Sequence, residues 1–275
     1  MRKISEREVQ LGELEVLKRI AEICEEQKLR YCLVFGTLIG AVRHHGFIPW
    51  DDDIDIAMPR PDYEKLVTYC TEHEKELYPL KLMNYRTNKD YIYPISRLCD
   101  TRYYIDYKGA VQYGLGLFVD IYPMDGCGNT KEEQDALVKK NNFLVSAVYQ
   151  SGQKKFEASK TSILRTPIKL ALYCYSKLMG PRYFIKKLEK NSLQHSFESN
   201  ELVNCTIWDG LGYGYKKSYF EDTILMPFED AEFRVPREYD EMLRQYYGDY
   251  MQLPPEEERV GHHYYEAFLK DESEM

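Results

Sequence analysis

The chain has 275 residues, of which 44% are hydrophobic and 30% charged, and its formal net charge at pH 7 is −8. These proportions are typical of globular proteins with one large or two small domains, and they exclude wholesale disorder. The acidic balance argues against a nucleic-acid partner, because proteins that bind DNA or RNA usually carry a basic excess.

The first half of the chain alternates helical and strand patterns. Apolar residues recur at helical spacing over 5–28, and a short apolar strand follows over 31–35. Gly36 and Thr37 then open a second helix that ends near Arg43. Further along, the patterns predict a strand over 53–56, a helix from Pro61, and strands near 80–84, 93–98 and 115–122. This alternation of helices and strands predicts a mixed α/β core.

The second half of the chain has a different pattern. It is mainly helical over 130–191, with breaks at Pro167 and before Pro181. A β-like stretch over 224–235 and a helix over 237–247 follow. We therefore expect three parts: a core over 1–129, a mainly helical basic insert over 130–200, and a C-terminal block over 201–275 that packs back on the core.

No segment predicts membrane insertion or export. The longest uncharged apolar run, 31–42, has 12 residues, whereas a membrane span needs about 20. The first residues mix charged and apolar side chains and contain no signal-peptide core. The seven cysteines form no CxxC pair, and we interpret them as reduced, buried thiols rather than disulfides or a zinc site. The expected location is the cytoplasm.

The strongest chemical signal is the acidic run Asp51-Asp52-Asp53-Ile54-Asp55. On a strand, Asp53 and Asp55 share one face and the isoleucines share the other. Carboxylates this close repel each other unless a cation lies between them. Mg²⁺, with Mn²⁺ as the alternative, prefers such oxygen ligands and bridges phosphate oxygens. A solvated acidic turn is the competing interpretation, but it does not explain the alternating isoleucines.

The turn that precedes this run suits an anion. Gly36 and Thr37 lie between an apolar strand and a helix, whose first backbone amides favour negative charge. Glycine permits a phosphate to approach closely, and the threonine hydroxyl adds a hydrogen bond. With carboxylates about 15 residues later, the pair resembles the nucleotidyltransferase signature. Thr37 stands where that signature has Ser or Gly, and the spacing is longer.

Three blocks of sequence extend the resemblance to one family. GTLIGAVRHHGFIPWDDDIDIAMPRPDYEKL, which begins at Gly36, resembles the signature of the LicD family. That family includes bacterial phosphocholine transferases and is related to the fukutin group. LFVDIYPMD, at 117–125, resembles the family's D-[IV]-[FY]-P block, and 227–263 resembles its C-terminal block. The blocks cover about a third of the chain, and 130–215 matches nothing in the pattern.

The resemblance implies an α/β (α+β) fold with a nucleotidyltransferase-like mixed sheet flanked by helices. It also implies transfer of a phospho-alcohol, typically phosphocholine from CDP-choline, with release of CMP. The acceptor would be a hydroxyl of a surface glycan, such as lipopolysaccharide, teichoic acid or capsule, or of its lipid-linked precursor. The expected mechanism is in-line attack by that hydroxyl on the phosphorus that carries the alcohol.

Carried over to this sequence, the resemblance makes Asp53 and Asp55 the metal ligands and Asp51 a further acidic residue of the catalytic site. Asp120, on another predicted strand, matches the third acidic position of nucleotidyltransferase sites. It would complete the metal shell or take the proton from the acceptor hydroxyl. From the sequence alone, a turn-capping role before Pro123 suits Asp120 equally well.

Basic and aromatic residues are the remaining candidates. Arg43 would neutralise the diphosphate, or form an ion pair with the aspartates. Trp50 would stack on a base or enclose a quaternary ammonium, or it packs the loop. Arg97 is a phosphate candidate, with a solvated surface as its alternative. His262 and His263 fall where the family keeps basic residues that reach the diphosphate; a disordered tail is the competing interpretation, and a zinc site fits poorly.

A basic segment predicts where the protein works. Residues 154–190 carry ten basic and two acidic side chains, an excess of +8 that leaves the rest of the chain at −16. With its interleaved apolar residues, this segment would lie on an anionic surface at the inner membrane face. A helical subdomain whose lysines point into water explains the same pattern, and both can hold.

Two other functions stay open at this point. One is nucleotidyl transfer from a nucleoside triphosphate to a small acceptor, which would release pyrophosphate instead of CMP. The other is a non-catalytic relative that binds a glycan or a nucleotide. The intact acidic run argues against the second, because an acidic cluster is costly to keep without its cation.

Overall fold

The computed structural model describes residues 1–107, 115–156, 166–207, 214–261 and 265–271. Within these ranges the helices are α1 (Glu6–Gln27), α2 (Phe35–His44), α3 (Arg60–Glu72), α4 (Lys131–Gly152), α5 (Thr166–Met179), α6 (Pro181–Ser192), α7 (Ser218–Glu221) and α8 (Tyr239–Tyr247), with a 3-10 turn at Glu256–Glu258. The strands are β1 (Arg2–Lys3), β2 (Cys32–Leu33), β3 (Asp55–Pro59), β4 (Leu80–Met83), β5 (Ser96–Asp100), β6 (Tyr103–Tyr107), β7 (Leu117–Gly126), β8 (Leu202–Asn204), β9 (Tyr215–Lys216), β10 (Thr223–Phe228), β11 (Ala231–Pro236) and β12 (Tyr265–Leu269).

The central sheet has the strand order β2-β3-β7-β5-β4. β3 and β7 run parallel, whereas the other neighbours on this path are antiparallel, so the sheet is mixed as the sequence predicts. β7 is the middle strand of this order, and all ten of its residues are buried. The end of β7 also pairs with β8, which in turn pairs with β9. β7 therefore joins the first half of the chain to the segment after α6.

Helices cover the central sheet. α1 packs on β7 and β5, and α3 packs on β7, β3 and β4. The buried face of α1 includes Leu17 and Ile20 at helical spacing. Ser5 caps this helix in a capping box with Glu8. The helix predicted over 5–28 and the α/β class of the fold are both confirmed.

The strand predicted over 53–56 is shifted along the chain. β3 begins only at Asp55, whereas Asp53 and Ile54 precede the ladder. The Asp120 amide donates a hydrogen bond to the Ile54 carbonyl at 2.8 Å, so the chain already follows β7 before β3 begins. Asp53 therefore belongs to the loop that leads into the sheet, and Asp55 is the first residue of the strand.

Two smaller sheets complete the fold. β1, β12 and β6 form an antiparallel sheet, and β10 and β11 form a hairpin that packs on α2 and β2. The hairpin confirms the β-like stretch predicted over 224–235. The sequence did not predict β6 and β12, because each strand buries a single residue, Ile105 or Ala267, and lacks an alternating apolar pattern.

Helices α4, α5 and α6 confirm the mainly helical pattern over 130–191, of which 157–165 lie outside the described residues. Gly180 separates α5 from α6 with a φ of 75°, a conformation that suits glycine. Pro167 is the second residue of α5, and because 157–165 lie outside the described residues, the predicted break at this proline stays a prediction. The division of the chain into three parts stays a prediction.

All seven cysteines lie within the described ranges, and none of them forms a disulfide. Six are buried, as predicted. Cys174 on α5 is exposed, which corrects the expectation for this one thiol. None of the helices in the described ranges combines the length and the apolar character that a membrane span requires.

Candidate active site

A cavity of about 580 Å³ lies beside the acidic run. Its walls come from α2, the loop between α2 and β3, the first residue of β3, and the segment around and after the end of α8. The cavity brings together six of the residues that the sequence singled out: Gly36, Arg43, Trp50, Asp51, Asp53 and Asp55. Residues separated by up to 19 positions in the chain therefore meet at one surface, next to residues of the C-terminal block.

The acidic run forms a compact group of carboxylates. Asp51, Asp52 and Asp53 each place a carboxylate oxygen within 4.8 Å of the others. Gln10 of α1 donates to the Asp51 carbonyl at 2.8 Å, and the Tyr265 hydroxyl donates to the Asp52 carbonyl at 2.9 Å. The backbone of the loop is thus fixed from α1 and from β12. The sequence did not count Asp52 among the site residues, and the structure adds it.

Asp55 extends this group into the sheet. Its side chain is buried, and one carboxylate oxygen, Oδ1, accepts no hydrogen bond from the part of the chain that the structure describes. Burial raises the pKa of Asp55 well above its ordinary value, and the carboxylates of Asp53, Asp120 and Asp51 add to the shift. An orphaned buried oxygen beside three further carboxylates is a donor set that fits a hard divalent cation.

Asp55, Asp120 and Arg97 form a row across β3, β7 and β5, because each pairs in register with the next. Arg97 donates from Nε to Asp120 Oδ1 at 2.5 Å and from Nη2 to Oδ2 at 3.0 Å. The guanidinium also lies 4.0 Å from the centre of the Phe118 ring. Burial by itself lowers the pKa of Arg97, but the Asp120 carboxylate raises it well above the ordinary value.

Arg97 is only 4% exposed, so its interpretation as a solvated surface residue is wrong. Both oxygens of Asp120 are engaged by Arg97, and the pair forms one buried ionic unit next to Asp55. The phosphate contact of Arg97 and the metal or proton role of Asp120 stay predictions.

The turn at the start of α2 positions the acidic residues. A β-carbon at position 36 would lie 2.5 Å from Asp51 Oδ2, so only glycine lets this carboxylate approach the helix so closely. The Thr37 hydroxyl is buried and accepts a hydrogen bond from the Asp55 amide at 2.9 Å. Gly36 and Thr37 were expected to contact a phosphate; in this structure their contacts hold Asp51 and Asp55 in place.

Arg43 and Trp50 border the same cavity. Arg43 Nη1 donates to the Tyr250 carbonyl at 2.6 Å, which ties α2 to the C-terminal block. Burial and the nearby Arg259 lower the pKa of Arg43. Trp50 packs between His44, at 6.3 Å between ring centres, and the Arg259 guanidinium, 5.6 Å from the ring centre. His262 and His263, predicted to reach a diphosphate, lie outside the described residues.

Aromatic side chains form a further part of the site that the sequence analysis missed. Phe35 and Tyr247 line the cavity together with Asp249. The Phe35 ring centre is 5.2 Å from that of Tyr122 and 6.3 Å from that of Tyr246. Tyr247 keeps 40% of its surface exposed. The tyrosine pair at 246–247, followed by Gly248 and Asp249, was the signal in the sequence that could have identified them.

Glu13 is a further acidic residue that the sequence analysis did not identify. It lies on the buried face of α1 and has no exposed surface. Burial raises its pKa well above the ordinary value, and the carboxylates of Asp53 and Asp52 raise it further. A single glutamate among the apolar positions of the helix was the available signal.

Comparison with known proteins places this site in a family. The family model described as LicD/FKTN/FKRP, nucleotidyltransferase domain, matches residues 28–182. A Haemophilus influenzae protein named lipopolysaccharide cholinephosphotransferase LicD is 34% identical over 279 residues, covering 98% of this chain and 100% of that protein. An uncharacterized protein of Rickettsia typhi is 31% identical over 124 residues, 45% of this chain and 37% of that protein. An uncharacterized protein of Rickettsia prowazekii is 42% identical over 48 residues, 18% of each chain.

Proposed function

We propose that this chain, which belongs to the LicD family of nucleotidyltransferase domains, transfers phosphocholine from CDP-choline to a hydroxyl of a lipopolysaccharide-type glycan and releases CMP. One observation carries the proposal: a single cavity combines a carboxylate cluster, a guanidinium group and aromatic rings. These groups suit a divalent cation, a diphosphate and a quaternary ammonium, which are the three charged parts of the expected donor complex. The name of the Haemophilus influenzae relative gives the same group and the same class of acceptor.

The carboxylates have the role of holding a cation. Asp51, Asp52 and Asp53, with the orphaned oxygen of Asp55, would bind Mg²⁺ or Mn²⁺. A bound divalent cation supplies positive charge that neutralises the diphosphate and stabilises the leaving CMP. The protein contributes the fixed positions of these side chains, which Gly36 and Thr37 secure through their contacts with the acidic residues.

Arg43 and the aromatic residues have the role of orienting the donor. Arg43 borders the cavity and would pair with a phosphate oxygen. Trp50 offers a flat face for the cytosine ring or for the choline group. Tyr247 and Asp249 combine an exposed aromatic face with a negative charge, which is the environment that a quaternary ammonium prefers. The choline end of the donor is therefore assigned to the end of α8.

The buried pair of Asp120 and Arg97 has the role of fixing the Asp120 carboxylate beside Asp55. Because Arg97 donates to both oxygens, the Asp120 carboxylate has one fixed orientation at the register position next to Asp55. A carboxylate fixed in this position would accept a hydrogen bond from an acceptor hydroxyl. We propose that Asp120 acts on the acceptor through this contact.

Exposed apolar residues on α5 support work at a membrane surface. Ile168 is 73% exposed and Leu178 is 82% exposed, and both lie on a helix within the basic segment 154–190. Apolar side chains flanked by lysines bind anionic bilayers through burial and charge together. We propose that α5 attaches the protein to the membrane face where a lipid-linked glycan acceptor is found.

The reaction products test the proposed function. The purified protein would be incubated with Mg²⁺ and one donor at a time, either CDP-choline, CDP-ethanolamine, CTP or ATP, with and without lipopolysaccharide that lacks phosphocholine. ³¹P NMR separates CMP from pyrophosphate. CMP formed from CDP-choline only when the glycan is present supports the proposal. Pyrophosphate formed from CTP or ATP would contradict the proposed function and indicate nucleotidyl transfer instead.

A further inference from the structure

Glu13 has an environment that a structural side chain rarely has. Glu13 is fully buried on α1, and neither of its carboxylate oxygens accepts a hydrogen bond from the described residues. A buried carboxylate without a partner is strongly disfavoured whether it is ionised or protonated, since the protonated form also needs a partner for its O–H group. The unpartnered oxygens of a glutamate in this position therefore indicate that a ligand binds to them.

The packing of α1 directs Glu13 toward the acidic loop. At the preceding residue, a β-carbon on Gly12 would lie 2.3 Å from Leu117 Cδ1, so α1 touches the start of β7 here. One turn earlier, Gln10 donates to the Asp51 carbonyl. Residues three apart share one face of a helix, so Glu13 and Gln10 face the same loop. These two contacts hold this part of α1 against the start of β7 and the acidic run.

The charged groups around Glu13 are of its own sign. Asp53, Asp52, Asp120 and Asp51 are its electrostatic neighbours, and the effect of each opposes its ionisation. Asp120 is paired with Arg97. A divalent cation at the acidic run would neutralise the carboxylates and give the oxygens of Glu13 a partner as well.

We infer that Glu13 is a further carboxylate of the divalent-cation site, contributed by α1 from the interior of the protein. The inference rests on the cation of the proposed function but not on the choice of donor or acceptor. It adds a ligand from outside the acidic run and outside every sequence block that resembles the family. It also explains why α1 carries glutamate at a position where the helix pattern alone calls for an apolar residue.

Mn²⁺ binding measured by electron paramagnetic resonance of the free ion tests this inference without any substrate. Glu13→Gln keeps the shape of the side chain and of a protonated glutamic acid but removes the charge. We expect its Mn²⁺ affinity to fall by about 10- to 100-fold, the range seen when groups that support a metal site are changed. Glu15→Gln is the matched control, because Glu15 is exposed on the same helix and pairs with Lys18; it should bind Mn²⁺ like the unmodified protein.

The outcomes separate this inference from the proposed function. If the unmodified protein and E13Q bind Mn²⁺ equally well, Glu13 is a structural residue and the inference is overturned, while the cation at Asp53 stands. If the unmodified protein binds no Mn²⁺, the inference and the cation of the proposed function both fail. A thermal melt checks the fold of E13Q. Should E13Q not fold, Glu13→Asp decides: weaker Mn²⁺ binding supports the inference, and unchanged binding overturns it.

Discussion

Asp55 and Asp120 occupy the same register position on the adjacent parallel strands β3 and β7. Two carboxylates in this arrangement repel each other across the centre of a buried sheet. The two carboxylates differ in their hydrogen bonds. Arg97 donates two hydrogen bonds to Asp120, whereas Asp55 Oδ1 accepts none from the described residues. One carboxylate of the pair is thus neutralised by the protein, and the other is available to a ligand.

The substitution Asp55→Asn should stabilise the protein when no metal is present. Burial and the carboxylates of Asp53 and Asp120 raise the pKa of Asp55, and asparagine removes both the cost of burying a carboxylate and this repulsion, so the melting temperature without metal should rise. The rise in melting temperature on adding Mg²⁺ should disappear. Asp135→Asn is the control, because Asp135 pairs with Lys131 at the surface of α4. An undiminished Mg²⁺ effect in D55N would contradict the metal assignment.

The buried ion pair should behave as a unit. Arg97→Met leaves Asp120 buried without its partner and should destabilise the protein by about 3–5 kcal/mol, measured by urea denaturation. The double variant R97M/D120N removes both charges and should recover part of that loss. If R97M and R97M/D120N unfold at the same urea concentration, the two side chains are not coupled.

The order of elements and the acidic run were predictable from the sequence, because periodicity and short motifs are local. Contacts between distant residues were not. Arg97 was expected to face phosphate or solvent, and only the register of β5 against β7 shows that it faces Asp120. Thr37 was assigned to a phosphate, whereas its hydroxyl accepts from the Asp55 amide, 18 residues away in the chain. Glu13 is brought to the acidic loop by helix packing that no sequence pattern records.

The capping box of α1 gives a prediction for the dependence of stability on pH. Hydrogen bonds from Arg2 and Ser5 lower the pKa of Glu8 to about 2. Because the pKa is lower in the folded state than in the unfolded chain, the stabilisation by Glu8 is present at pH above about 4.5 and is lost as the pH falls toward 2. The difference in melting temperature between the unmodified protein and Glu8→Gln should therefore shrink from pH 6 to pH 2. A constant difference would show that the charge of Glu8 is not involved.

Recognition of choline should depend on the end of α8. Tyr247→Leu should raise KM for CDP-choline by about 3- to 30-fold, because a contact between a cation and an aromatic ring contributes roughly 0.5–2 kcal/mol. The KM for CDP-ethanolamine, whose ammonium group is smaller and more strongly hydrated, should change less. Tyr149→Leu, on the exposed surface of α4, is the control. Equal changes in KM for CDP-choline and CDP-ethanolamine would show that Tyr247 does not contact the choline group.

Membrane attachment should require both the apolar and the basic side chains of the segment 154–190. Co-sedimentation with anionic vesicles at low salt should decrease when Ile168 and Leu178 are changed to Ser, and it should also fade as salt is raised. Leu225→Ser, which removes an exposed leucine of β10, should have no effect. Failure of the unmodified protein to bind anionic vesicles at low salt would show that α5 serves another purpose.

The most direct test of the central claim is to follow the transferred group itself. Phosphocholine-free lipopolysaccharide would be incubated with Mg²⁺ and CDP-choline deuterated in its methyl groups, and the glycan would then be analysed by mass spectrometry. We expect the label on the glycan together with an equal amount of CMP, and neither product with the Asp53→Asn variant. Transfer of CMP to the glycan with release of free phosphocholine, or full transfer by D53N, would contradict the proposed function.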